Sequence, residues 1–163
     1  MGEAGGGGEA VDGDGSGATT SAGSGEGGGA TGSGASGDGC PAGLTCVAEL
    51  PFSDERDTSQ EGSKLLDFYA CKPTADESGA EIIYRLDVPS AGNLTVSVSD
   101  GEAVDIDVHV LTEIDGAACV ARDDVSTTAP VEAGTVYVIA DTYVSGGVPQ
   151  AGSYQLEITF AGG

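Results

Sequence analysis

From Cys40 onward, apolar and polar residues alternate with a period of two in short runs, each closed by Gly, Pro, Asn, Asp or Ser. This is the pattern of strands with one buried face. One run places Ile82, Tyr84, Leu86 and Val88 on a common face. A second sets Leu94, Val96 and Val98 opposite Thr95, Ser97 and Ser99, and a third sets Tyr154, Leu156, Ile158 and Phe160 opposite Gln155, Glu157 and Thr159. Between them, Val104 to Leu111 alternates Val and Ile with Asp105, Asp107 and His109, and TVYVIADT (135–142) is nearly continuous apolar, as a central strand would be. Turns are supplied by Pro89 to Asn93, Ser99 to Glu102, Ala133-Gly134 and Ser145 to Pro149. Phe68-Tyr69 reads as a further short strand. No segment shows a 3.6-residue period. The pattern predicts an all-β domain over residues 40–163, an antiparallel β-sandwich of the jelly-roll type with seven or eight strands. At about 124 residues, such a domain buries roughly 65% of its unfolded surface and can stand alone.

The alternation does not extend to residues 1–39. Of the 29 glycines, 17 fall there, together with no aromatic residue, no Leu or Ile, and Val11 as the one valine. So little apolar surface cannot offset the ~1 to 2 kcal/mol per residue that backbone ordering costs, so this stretch is expected to be a disordered tether. Glu3, Glu9, Asp12, Asp14, Glu26 and Asp38 make it purely acidic. The whole chain has 27 Asp and Glu against 5 Lys and Arg, a formal charge of −22, which leaves almost no cations to displace counterions from a phosphate backbone and excludes nucleic acid as a main partner. No stretch approaches the ~18 to 20 apolar residues of a membrane span. MGEAGGGGEA has neither the basic nor the apolar region of an export signal, so the sequence reads as a mature form with an added Met1.

Four cysteines allow three pairings. The preferred one joins Cys40 to Cys46, six positions apart, and Cys71 to Cys119. On the chain-entropy model the short loop is worth ~2.4 kcal/mol and the long one ~4. The competing zinc reading lacks a CxxC knuckle and a second closely spaced pair. Disulfides imply an oxidising, extracellular or cell-surface compartment. A Gly-, Ser- and Asp-rich N-terminus ahead of such a domain resembles in layout the tether of a bacterial surface lipoprotein, with Met1 standing where a lipidated Cys would be. A plainly secreted domain is the alternative.

Four motifs in order over about residues 76–160 resemble the bacterial pre-peptidase C-terminal domain family: Gly92/Leu94/Val96, Asp105/Asp107/Leu111, Gly134/Val136/Val138 and Gly152/Tyr154/Leu156/Ile158. The resemblance implies a jelly-roll-like β-sandwich attached to secreted hydrolases or surface proteins, non-catalytic, in some members calcium-binding and in others carbohydrate- or protein-binding. The preceding segment, residues 40–73, departs from the family pattern.

Catalytic chemistry has little to work with. His109 is the one histidine, and Asp105 and Asp107 precede it on the same strand face rather than converging from separate loops as a triad requires. No GxSxG or HExxH motif is present. The Asp105, Asp107 and His109 face, with ~6.6 Å between alternate residues, is the most chemically loaded spot. It reads either as a polar outer face, solvated or paired with Arg85 or Arg122, or as part of a calcium site. The calcium site would combine Asp105 or Asp107 with Asp123, Asp124 or Asp141, since calcium takes six to eight oxygens from several segments. A His/Asp transition-metal site is a lesser alternative. Asp76-Glu77 and Asp54-Glu55-Asp57 read as solvated acidic loops. The sequence thus points to an exported, tethered, monomeric and non-catalytic β-sandwich with an unidentified protein or carbohydrate ligand. The alternatives are a structural subunit of a surface assembly and a hydrolase with an unrecognised site.

Overall fold

The computed structural model describes residues 39–163. The tether expected of residues 1–39 therefore lies, Gly39 apart, outside the described residues. Eleven strands follow one another: β1 Thr45–Val47, β2 Phe52–Asp57, β3 Glu81–Val88, β4 Gly92–Asp100, β5 Ile106–Leu111, β6 Cys119–Asp123, β7 Ser126–Val131, β8 Gly134–Thr142, β9 Val144–Ser145, β10 Val148–Pro149 and β11 Ser153–Gly162. No α-helix occurs among the described residues; a single 3₁₀ turn spans Gly116–Ala118.

Nine of the strands form a sandwich. A five-stranded sheet runs in the order β1-β3-β8-β5-β6, and a four-stranded sheet in the order β2-β11-β4-β7, with β9 and β10 as a small separate ribbon. The alternation read from the sequence determines which side chains meet between the sheets. Ile82, Tyr84 and Leu86 of β3, Val138 and Ala140 of β8, and Ile106, Val108 and Val110 of β5 pack against Leu94, Val96 and Val98 of β4 and Tyr154, Leu156 and Ile158 of β11 in one core. Within it the hydroxyls of Tyr84 and Tyr154 hydrogen-bond to each other at 2.8 Å, so neither buried phenol is left unpaired. TVYVIADT is central as expected: β8 lies between β3 and β5.

Three details differ from the sequence reading. The sandwich has nine strands rather than seven or eight: β1 is too short to show a period, and β2, β6 and β7 carry too few large apolar residues to show one. The sheets are not wholly antiparallel, since β1 runs parallel to β3. Phe68-Tyr69 is not a strand; residues 64–80 form an irregular segment that lies over the outer face of the five-stranded sheet, where Tyr69 joins Ile83, Leu111 and Ile139 in a second, smaller core. Two glycines let that segment approach the sheet closely. A Cβ at Gly116 would collide with the carbonyl of Phe68, and one at Gly79 with the carbonyl of Thr142. Both expected disulfides are formed, Cys40–Cys46 and Cys71–Cys119. The second fastens the covering segment to the start of β6, an edge strand.

Candidate functional site

The period of two that sends Ile106, Val108 and Val110 inward sends Asp107, His109 and Leu111 outward. Register then sets the outward residues in rows. Glu81 of β3 pairs with Asp141 of β8, and Asp141 pairs with Asp107 of β5, so three carboxylates stand side by side across three strands. The next row holds Ile83, Ile139, His109 and Arg122. Like charges directly opposite one another destabilise a sheet even on a solvated face, and this face is not solvated. Glu81, Asp141 and His109 are 0% exposed and Asp107 1%, because the 64–80 segment covers them and brings in Glu77, itself 0% exposed.

The cover contributes specific contacts. The Tyr69 ring stacks on the His109 imidazole, with centroids 3.7 Å apart and planes 15° from parallel. Its hydroxyl donates to Asp141 Oδ2 at 2.6 Å. Glu81 Oε1 accepts from the Ser63 hydroxyl at 2.7 Å and the Leu65 amide at 2.6 Å. Arg122 is the cation of the cluster: it pairs with Asp107, reaches Glu77 Oε1 at 3.6 Å, and holds Asp124 at its outer edge. Against one guanidinium stand four buried carboxylates. Glu77 Oε1 and Oε2, Glu81 Oε2, Asp107 Oδ1, Asp141 Oδ1 and both ring nitrogens of His109 have no hydrogen-bond partner. Native interiors pair nearly all such groups, so this concentration of unpaired ones is exceptional.

Proton affinities follow from that imbalance. Burial pushes the Glu77 carboxyl up to about 9, helped by Asp107 and Asp141. Burial pushes Asp141 up to about 8 despite the Tyr69 hydrogen bond, and Asp107 is raised for the same primary reason. His109 is held down to about 3 by burial and by the adjacent guanidinium, so its imidazole is neutral.

The residues expected to share a calcium ion are only partly gathered. Asp107 and Asp141 are cross-strand neighbours. Asp124 is tied to them through Arg122. Asp123 is exposed, and its carboxylate accepts from the backbone amides of Val125 and Ser126 in the turn after β6. Asp105 precedes β5 and is only partly buried. The Asp107 and His109 face is buried where a solvated surface was one expectation, although the Arg122 partnership holds. Glu77, read as part of a solvated loop, is the main correction. It sits in an irregular segment with no period to reveal burial, and the available signal was the density of Leu65, Leu66, Phe68, Tyr69 and Cys71 just before it.

A cleft of about 270 Å³ lined by Gly43–Thr45, Arg56, Glu61–Ser63 and Glu81-Ile82 offers little further chemistry, since Arg56 is already paired with Asp54 and Glu61.

No family model matches the chain, and no curated protein matches it. Among solved structures it is similar to the pre-peptidase C-terminal domain of a collagenase from Bacillus anthracis, at 16% identity over 68% of this chain and 90% of that one, with a TM-score of 0.45. That domain bears the family name to which the four strand motifs pointed. The chain is also similar to PliG, a periplasmic lysozyme inhibitor of g-type lysozyme, from Aeromonas hydrophila (12% identity, 69% of this chain and 85% of that one, TM-score 0.44) and from Salmonella Typhimurium (12% identity, 71% and 96%, TM-score 0.37).

Proposed function

We propose that this chain is an exported, non-catalytic β-sandwich module, held at the cell surface through its acidic Gly-rich N-terminal segment, that binds a protein or carbohydrate partner. The observation that carries the non-catalytic part is the sealing of His109. It is the sequence's one histidine, and a general base must come within hydrogen-bond reach of a substrate proton, which an imidazole at 0% exposure beneath a disulfide-fastened segment does not. Two disulfides support the oxidising compartment.

Binding is supported by where large apolar side chains remain exposed. Leu65 and Phe68 lie on the covering segment, and Ile114 and Val120 flank the 3₁₀ turn. The Cys71–Cys119 bond and the hydrogen bond from the Ala70 amide to the Gly116 carbonyl join those two stretches. Self-assembly through sheet edges is poorly supplied at three of the four: β2 carries Asp54, Glu55, Arg56 and Asp57, β7 carries Pro130, and β1 is three residues long, while the fourth, β6, is a five-residue strand that ends in Arg122-Asp123.

The experiment measures saturable binding of the labelled, oxidised protein to cell envelopes, with protease and periodate pretreatment separating protein from carbohydrate ligands. It is run beside turnover assays on ester, peptide and glycoside substrates. The reading expects saturable binding, weakened at least tenfold by Phe68→Asp or Val120→Asp with an unchanged melting temperature, and no turnover. Turnover abolished by His109→Gln, or binding no tighter than that of an unrelated acidic protein, would overturn it.

A further inference from the structure

We propose that Glu77, His109 and Asp141 form a buried site for one divalent first-row transition-metal ion of the zinc type, with Tyr69 orienting Asp141. One ring nitrogen of His109 and one carboxylate oxygen from each of Glu77 and Asp141 lie within 4.8 Å of one another, and all three residues are fully buried. Ligands around a tetrahedral zinc at ~2.0 to 2.2 Å stand about 3.4 Å apart, so side-chain shifts of about an ångström would close the shell.

The unpaired atoms point to an ion. The His109 nitrogens, both Glu77 oxygens and Asp141 Oδ1 are buried without hydrogen-bond partners, and these are the donor types that zinc takes. Asp107, opposite Asp141 and with its own Oδ1 unpartnered, is available as a fourth donor. The surroundings match those of a built metal site. The Tyr69 hydroxyl occupies Asp141 Oδ2 and leaves Oδ1 free, and Arg122 takes the second oxygen of Asp107.

The nitrogen donor decides the class. Calcium takes six to eight oxygens and rarely imidazole, whereas borderline first-row ions favour an imidazole with carboxylates. This donor set differs from the acidic set expected for calcium by adding Glu77 and His109 and leaving out Asp105 and Asp123. It does not depend on the binding role proposed above.

Because the site is sealed, the test loads metal in two ways. Untagged full-length protein is refolded oxidatively in zinc, in calcium or in chelator, and folded protein is separately incubated with each ion, with magnesium in excess to occupy the acidic surface. Metal content after gel filtration, the melting temperature and the imidazole nitrogen resonances of His109 are then read. The proposal expects one zinc per chain from refolding, slow uptake by the folded protein that speeds up when Cys71–Cys119 is reduced, and a zinc-dependent shift of the His109 resonances. His109→Gln and Asp141→Asn should lower zinc affinity at least tenfold, while Asp123→Asn leaves it unchanged. Glu77→Gln separates a metal role from a packing role, because it should raise the melting temperature in chelator and lower it in zinc. Refolded protein with no stoichiometric zinc, calcium bound as tightly as zinc, or zinc retained equally by His109→Gln would each overturn the proposal.

Discussion

The five-stranded sheet has two faces made by the same strands, and where the 64–80 segment covers it the outer face is buried as fully as the inner one, yet the two are held by different physics. The inner face presents Ile82, Tyr84, Leu86, Val108, Val110, Val138 and Ala140 to the opposing sheet. The outer face presents Glu81, Asp107, His109 and Asp141 to an irregular segment. Burying the first releases apolar surface from water at roughly 25 cal/mol per Å². Burying the second takes charges out of water, which is unfavourable unless they are paired, protonated or bound to a cation. The inner face therefore contributes to folding, whereas the outer face depends on what holds its cover. Tyr69, Ile83, Leu111 and Ile139 supply a small apolar clamp beside the polar row, and Cys71–Cys119 supplies a covalent one.

The contrast can be broken most strongly at the covalent clamp. Replacing Cys71 and Cys119 together by Ser should cost about 4 kcal/mol, against about 2.4 kcal/mol for Cys40 and Cys46, because the first pair closes a loop of 48 residues and the second a loop of six. Denaturant melts give the energies, and hydrogen exchange should show the first variant opening the covering segment ahead of the sandwich. In the core between the sheets, Leu156→Ala on β11, which packs against that inner face, should cost about 3 kcal/mol at every pH and metal concentration, since the core there is apolar.

The outer face should instead respond to pH. Glu77 and Asp141 hold protons in the folded protein up to about 9 and about 8, and in the unfolded chain release them near 4.5 and 3.8. Their stability contribution is complete below the unfolded values and is lost as pH rises through the folded ones. His109, neutral when folded down to about 3, contributes the opposite slope between about 3 and 6.5. Two carboxylates outweigh one imidazole, so metal-free protein should lose stability from pH 5 to 8, by at most about 1.4 kcal/mol per pH unit for each group. Glu77→Gln should flatten that dependence and stabilise the metal-free protein at pH 8 by about 1 to 2 kcal/mol. The smallest effect belongs to an acid outside the cluster: Asp123→Asn, which weakens two amide contacts that hold this carboxyl below its ordinary value of 3.8, should cost under about 1 kcal/mol, with little pH dependence above about pH 5 and the cost fading in acid.

The same contrast explains what could be read from the residues alone. Period-two alternation identified the core-facing side of β3 and both faces of β4, β5 and β11, the apolar run marked β8 as central, and the close spacing of Cys40 and Cys46 left Cys71 to pair with Cys119. Alternation also placed Asp107 and His109 together. It could not show what lies above them, because a polar face turned to water and a polar face beneath an irregular cover have the same period. The neighbourhood of Asp141 and Glu81 depends on strand register between distant parts of the chain, and Glu77 and Tyr69 arrive on a segment with no period at all. Asp105 and Asp123 were grouped with the others by charge and proximity in sequence, whereas geometry divides them. Asp123 neighbours Arg122 in the same strand, so its side chain leaves from the opposite face.

A pH titration of the His109 imidazole by nuclear magnetic resonance, in chelator, addresses the sealed outer face most directly, and the chain's single histidine makes the signal unambiguous. A ring buried beneath Tyr69 and beside Arg122 should stay neutral from pH 8 down to about 4, with a midpoint at about 3 if the fold survives. Protonation with a midpoint near the unperturbed value of about 6.5 would mean that the ring meets water, and the sealed polar layer would be contradicted.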